Sequence, residues 1–163
     1  MPKAITYIDL FSGIGGFREG LSRAGGFACM GHCEIDKYAD QSYRALFDTE
    51  GEWFCEDIRK ADPKEMPDFD LLCGGFPCQS FSISGRRGGF KDPRGTLFFE
   101  IARLAAEKRP AYLLLENVPG LLNHDRGRTF AVILHTLDGL GYGLEWQVLN
   151  SKDFHVPQSR RRV

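Results

Sequence analysis

One of the five cysteines, Cys78, stands where the chain leaves the apolar run Phe69–Cys73 and turns through Gly74, Gly75, Phe76 and Pro77. Proline fixes its own φ and biases the residue before it toward an extended conformation, so Cys78 is held at a defined angle past a strand end. A nucleophilic thiol is presented in this way, and guanidinium groups in the following loop (Arg86, Arg87 and Arg94) would favour its thiolate. An inert buried cysteine is the plainer alternative. A carboxylate has a comparable place, because Glu116 follows the apolar run Tyr112–Leu115 and precedes Asn117-Val118-Pro119. Burial there would raise its pKa toward the range of a general acid, or would pair it with a donor. An exposed strand-end acid is the plainer reading. The chain closes on Pro157-Gln158-Ser159-Arg160-Arg161-Arg162. An extended backbone would send Arg160 and Arg162 to one side and Arg161 to the other, unless the segment is a solvated basic tail.

A second set of residues suits a nucleoside. The run Asp9-Leu10-Phe11-Ser12-Gly13-Ile14-Gly15-Gly16 is a Gly-rich turn from a strand into a helix, and Glu34 lies 18 residues beyond Gly16 at the end of the next β-rich run. Glycine lets the backbone approach a ligand, and the acid can accept hydrogen bonds from ribose hydroxyls. The turn departs from the dinucleotide pattern, since Arg18 occupies the position of its last glycine. A ligand without phosphates fits better, and S-adenosylmethionine is such a ligand. The same glycines could also simply make a tight turn.

The elements that must position these groups alternate. Ala4–Phe11, Ala28–Ile35, Phe69–Cys73, Tyr112–Val118 and Tyr142–Asn150 read as strands, and Phe17–Ala24, Lys37–Phe47, Thr96–Lys108 and Arg128–Leu140 as helices. This alternation predicts an α/β fold with a mostly parallel sheet, helices on both faces, and ligand sites beyond the carboxyl ends of the strands. The 17-residue segment Gln79–Gly95 exceeds the ~12–15 residues of an ordinary loop, which points to a function rather than a solvated excursion.

Composition narrows the classes. With 163 residues, 42% hydrophobic and 26% charged, the chain reads as one globular domain rather than a disordered or fibrous one. It has no apolar run of membrane-spanning length and no signal-peptide pattern at its N-terminus, so no membrane association and an intracellular location are expected. An odd number of cysteines without secretory context predicts reduced thiols, and Cys29 and Cys33, expected on one strand face, lack a second ligand pair at zinc-like spacing. No metal site is expected. The net charge of −1 argues against a wholly basic binding module, although Gln79–Arg94 and Ser151–Val163 are locally basic.

Taken in order, the Asp9–Phe17 turn, the Gly75–Gln79 Pro-Cys loop, Arg94-Gly95-Thr96-Leu97-Phe98, Glu116-Asn117-Val118 and the Gln158, Arg160, Arg162 triplet resemble the cytosine-5 DNA methyltransferases of bacterial restriction-modification systems. The resemblance runs from Tyr7 to Val163. It implies a Rossmann-like S-adenosylmethionine-dependent methyltransferase fold and methyl transfer to carbon 5 of a flipped-out cytosine in duplex DNA, with S-adenosylhomocysteine as product. It implies Cys78 as nucleophile, Glu116 on the exocyclic amine and ring nitrogen 3, and Arg162 with Arg160 on the base oxygen or loop backbone. Around the cofactor it implies Phe11, Gly13, Gly15, Glu34, Asp57, Ile58, Pro77 and Leu97, and against DNA it implies Gln79, Ser82, Ser84, Arg86, Arg87 and Arg94. The family's catalytic region continues past the arginine triplet. Residues 1–163 are therefore expected to be the catalytic and cofactor-binding domain, incomplete at the C-terminus and without the target-recognition domain. A second polypeptide could supply the missing segments, and a bacterial cytosolic or nucleoid location follows. The competing expectations are a cofactor-binding fragment or subunit that needs such a partner, and a plain nucleic-acid-binding module. The second has no use for an acidic nucleoside pocket.

Overall fold

A computed structural model of the chain describes residues 3–77 and 97–163. Its main sheet contains β1 (Ile5–Leu10), β2 (Phe27–Cys33), β3 (Trp53–Cys55), β4 (Leu71–Gly74) and β5 (Tyr112–Leu115), all parallel, in the order β3-β2-β1-β4-β5. Helices α1 (Gly16–Ala24) and α2 (Lys37–Leu46) connect β1 to β2 and β2 to β3, α3 (Leu97–Lys108) precedes β5, and α4 (Arg128–Gly139) follows it. Strand order runs outward from β1 in both directions. Right-handed crossovers then put α1 and α2 on one face and α3 on the other. A short antiparallel pair, β6 (Leu149–Asn150) with β7 (Arg161–Arg162), forms a second sheet.

The residues gather into two compact units, Met1–Gly75 with Arg103–Leu115, and Phe76–Ala102 with Glu116–Val163. In the first, Tyr7, Leu71 and Cys73 form a buried cluster against which Phe17 and Leu21 of α1 pack, together with Ile5, Phe27 and Cys29. Phe17 and Leu21 are spaced i, i+4, so they share the stripe that α1 turns to the sheet. The opposite face of the sheet buries Ile8, Leu10 and Leu72 completely. Each such side chain contributes ~1.5–3 kcal/mol by leaving water. Asp70 ties the beginnings of the central strands together, its Oδ2 accepting from the Thr6 N–H at 2.9 Å and the Thr6 hydroxyl at 2.8 Å. Asp36 caps α2 by accepting from the N–H groups of Tyr38 and Ala39.

Three local expectations are corrected. Trp53–Cys55 is a strand although its three residues are too few to show alternation. Of the expected strand Tyr142–Asn150 only Leu149 and Asn150 are strand, because among the described residues they alone in that run find a ladder partner, Arg162 and Arg161. Cys29 and Cys33 do not share a face. The register of β2 against β1 shifts at Met30, pairing Cys29 with Tyr7 but Cys33 with Leu10, whose side chains point oppositely. Such a bulge inverts the alternation beyond it. The four described cysteines are free thiols, and no described helix is long and apolar enough to cross a membrane.

Register also brings polar side chains together. Asp9 is paired with His32 on one side and Cys73 on the other, so the three side chains share the face that carries α1. His32 is buried, stacked on Tyr43 at 4.1 Å, and bonded through Nε2 to Asp40 at 2.8 Å; burial lowers its pKa, with Asp40 opposing. Asp9 is wholly buried, and among the described residues neither carboxyl oxygen meets a well-aligned hydrogen-bond donor. Burial pushes its pKa up to about 7, Arg18 opposing and Glu34 reinforcing the shift. The folded state therefore holds a proton on Asp9 that the unfolded chain releases near its ordinary value of 3.8. Stability is fully present below that value and lost as pH rises toward 7. We predict that Asp9→Asn abolishes this loss. Between pH 4.5 and 7, wild type should lose about 3 kcal/mol relative to the variant in urea unfolding, and parallel pH profiles would contradict the assignment.

Candidate active site

The carboxyl ends of the first unit's strands hold most of the residues expected to contact a nucleoside. β1 runs directly into Phe11, which has φ 54, a left-handed conformation that is uncommon for a bulky side chain. Such strain is kept where the surrounding structure over-determines it. The turn is pinned to the neighbouring strand end by the Ser12 N–H donating to the Cys33 carbonyl at 3.1 Å, and it closes on itself by the Gly15 N–H donating to the Ser12 carbonyl at 2.9 Å. Gly13, at φ 54, has no atom of the described residues within 4 Å of where a Cβ would stand.

Glu34 joins two strand ends. Its Oε2 accepts from the Gly13 N–H at 2.7 Å, its Oε1 accepts from the Asp36 N–H at 2.8 Å, and its own N–H donates to the Cys55 carbonyl at 3.3 Å. The carboxylate is thus oriented against the Gly-rich turn and half-buried, with lone pairs left to accept from hydroxyls. Past β3, Asp57 caps the short turn Ile58–Lys60 by accepting from the Arg59 N–H, and the Arg59 guanidinium also bonds it. That guanidinium holds the Asp57 carboxyl below the usual carboxylate range. Ile58 is buried, and its carbonyl accepts from Arg103 at 3.1 Å. Phe11, Gly13, Gly15, Glu34, Asp57 and Ile58 therefore all lie at or just beyond the ends of β1, β2 and β3.

The second unit holds a different constellation. Glu116 directly follows β5, and Arg162 Nε meets its Oε1 at 2.5 Å, both side chains being partly exposed. The carboxylate is thus paired with a guanidinium donor. Arg162 also donates to the Arg161 carbonyl at 2.7 Å. The Arg160 N–H donates to Asn150 Oδ1 at 2.9 Å, while its side chain is exposed. Sequence reasoning missed Asn117, which is buried and organises this region. Its backbone exchanges two hydrogen bonds with Val163, at 2.8 and 2.9 Å, which places Arg162 beside Glu116. Its side-chain Nδ2 donates to the Phe76 carbonyl at 2.8 Å, and its Oδ1 accepts from the Val118 N–H at 2.9 Å. The approach to Cys78 is thereby anchored two residues upstream of it. Phe76 is buried against Phe98, Pro77 is exposed, and Leu97 opens α3. Cys78, Gln79, Ser82, Ser84, Arg86, Arg87 and Arg94 lie outside the described residues. Among those described, no group of three His, Cys, Asp or Glu could hold a metal ion.

Strand order, Gly-rich turn and strand-end acids define a Rossmann-like methyltransferase fold. The chain belongs to the C-5 cytosine-specific DNA methylase family, whose model matches residues 5–163. It is 51% identical over 158 residues to the type II methyltransferase M.NgoBI of Neisseria gonorrhoeae, an alignment covering 96% of this chain and 48% of that protein. It is 45% identical over 159 residues to the type II methyltransferase M.HhaI of Haemophilus parahaemolyticus, covering 98% and 47%. The solved Dnmt2 methyltransferase of S. pombe matches with a TM-score of 0.77 at 27% identity, over 97% of this chain and 49% of its own. The chain thus spans just under half the length of these relatives.

The Asn117 side chain is a test of how the second unit is built. Asn117→Ala removes one buried and one partly buried hydrogen bond and should cost ~1–3 kcal/mol. A denaturant midpoint shifted at unchanged m-value would show it, and an unshifted midpoint would mean that the side chain organises nothing.

Proposed function

We propose that this protein transfers a methyl group from S-adenosylmethionine to carbon 5 of cytosine in duplex DNA, through a covalent adduct with Cys78. The observation that most directly supports this reading is the Glu116–Arg162 pair beside Asn117, whose side chain holds the backbone two residues before Cys78. It gathers a carboxylate, a guanidinium and the approach to a thiol, the groups that cytosine chemistry requires.

The first unit's residues suit the cofactor. Glu34 is oriented toward ribose hydroxyls by its bond to Gly13, the open space at Gly13 admits a ligand close to the backbone, and Phe11 offers a half-buried ring to adenine. Asp57 would hold the adenine amine, with Ile58 and Gly15 beside it, and the family resemblance assigns Pro77 and Leu97 to the cofactor as well. The bound cofactor supplies a methyl group on a sulfonium cation. Carbon 5 of cytosine is too weak a nucleophile to take that group directly, so the Cys78 thiolate first adds to carbon 6. Glu116, oriented by Arg162, holds the exocyclic amine and ring nitrogen 3 and favours the enamine. Carbon 5 would then form its bond to the methyl group as the carbon–sulfur bond of the cofactor breaks and S-adenosylhomocysteine leaves; loss of the carbon 5 proton to water would return its electron pair to the ring and expel the Cys78 thiolate from carbon 6, giving 5-methylcytosine. Arg160 supports Arg162. The base must leave the duplex stack to reach these groups. The basic segment Gln79–Arg94 would meet DNA phosphates through Arg86, Arg87 and Arg94, with Gln79, Ser82 and Ser84 beside them.

Duplex DNA with 5-fluorocytosine in place of cytosine tests the nucleophile, because fluorine cannot leave as the proton does. With S-adenosylmethionine present, a denaturant-stable protein–DNA adduct should form, and peptide mass spectrometry should locate it at Cys78. Undiminished adduct formation by Cys78→Ser would sink the role.

A further inference from the structure

The two glycines of the cofactor turn differ in what surrounds them. At Gly15, which takes φ 95 and ψ 37, a Cβ would stand 2.2 Å from Cε2 of Phe47. That is far inside van der Waals contact, so the Phe47 ring occupies the notch left by the absent side chain. Gly13 faces open space among the described residues instead. One glycine leaves room for a ligand, and the other admits a brace.

The brace is itself fixed. Phe47 ends α2, its N–H donating to the Tyr43 carbonyl at 3.0 Å and its ring tilted against that of Tyr43 at 5.1 Å. The Arg18 guanidinium lies 5.0 Å from the Phe47 centroid. Arg18 sits in the first turn of α1, directly after the Gly-rich turn. It donates to both oxygens of Glu52 at 2.7 and 2.8 Å, to the Asp48 carbonyl at 2.6 Å and to the Tyr43 hydroxyl at 3.3 Å. These partners stand on both sides of Phe47 in the chain. Moving residues 47–52 away from the turn would break a largely buried, bidentate ion pair, which leaves a charge uncompensated. Arg18 holds the position where a diphosphate-binding turn carries glycine, and it serves here to lock an aromatic ring against Gly15.

We propose that Phe47, held by Arg18 and Glu52, is a positioning residue for the cofactor: it sets the conformation of the Gly13–Gly15 turn without contacting the ligand. This rests on the reading that the turn binds S-adenosylmethionine.

Calorimetric titration with S-adenosylmethionine tests it, thermal midpoints being read in parallel. Phe47→Ala should bind about 5- to 30-fold more weakly, while Phe47→Leu, which still fills the notch, should stay within about threefold of wild type. Gly15→Ala should bind far more weakly still, because φ 95 is strained for any side chain and its Cβ would meet the ring. A merely stabilising role would lower the thermal midpoint of Phe47→Ala without moving its affinity. Wild-type affinity in Phe47→Ala overturns the proposal. If Phe47→Ala is unfolded, Phe47→Val carries the same comparison. Glu34→Ala is the reference: if it binds as wild type, the cofactor reading of the turn fails, whereas if it weakens binding and Phe47→Ala does not, only the brace fails.

Discussion

Parallel pairing on both sides of β1 is the constraint from which the first unit's chemistry follows. With β2 on one side and β4 on the other, the connection leaving β1 runs toward β2 and the one leaving β4 runs the opposite way toward β5, which opens a crevice beyond the carboxyl end of β1. The Gly-rich turn emerges there. Parallel strands also finish side by side, so the acid ending β2 reaches the turn ending β1, and the bond from Gly13 to Glu34 becomes geometrically available. The same pairing aligns Asp9 with His32 and Cys73. A carboxyl is thereby sealed under the turn, where burial favours its neutral form.

The second unit depends less on a sheet than on one amide. Asn117 uses its backbone to seat Val163 and its side chain to hold the Phe76 carbonyl, so three chain segments distant in sequence share one anchor. The Glu116–Arg162 pair is a consequence of that anchoring. An ion pair this exposed contributes little to stability, and its value lies in fixing the direction of a carboxylate. A base bound there would meet an acceptor already oriented, which lowers the entropy cost of aligning it.

Much of this was legible along the chain because its signals are local. A strand, a Gly-rich turn and an acid after the next strand occur within a few dozen residues, and Pro77 declares the geometry of its own neighbourhood. What escaped depends on partners far away. The shift at Met30 exists only against β1, and it separates Cys29 from Cys33 in a way that alternation within β2 cannot show. Arg18 was legible as a missing glycine but not as the partner of Glu52, 34 residues on. Tyr142–Val148 has the alternation of a strand and no ladder partner among the described residues, whereas Trp53–Cys55 has a partner and too little length to announce it. Asn117 looked like a spacer between Glu116 and Val118, since its bonds reach 41 residues back and to Val163.

The central claim is that a strand-end acid site for a nucleoside cofactor and a thiol–carboxylate–arginine site serve one reaction at carbon 5 of cytosine. It is tested most directly by incubating the protein with methyl-labelled S-adenosylmethionine and duplex DNA, digesting the DNA to nucleosides and identifying the labelled product by chromatography and mass spectrometry. The account predicts label only in 5-methyl-deoxycytidine, with none when Cys78 is replaced by Ser. Label on an exocyclic nitrogen of cytosine or adenine, or 5-methylation that persists without Cys78, would contradict it.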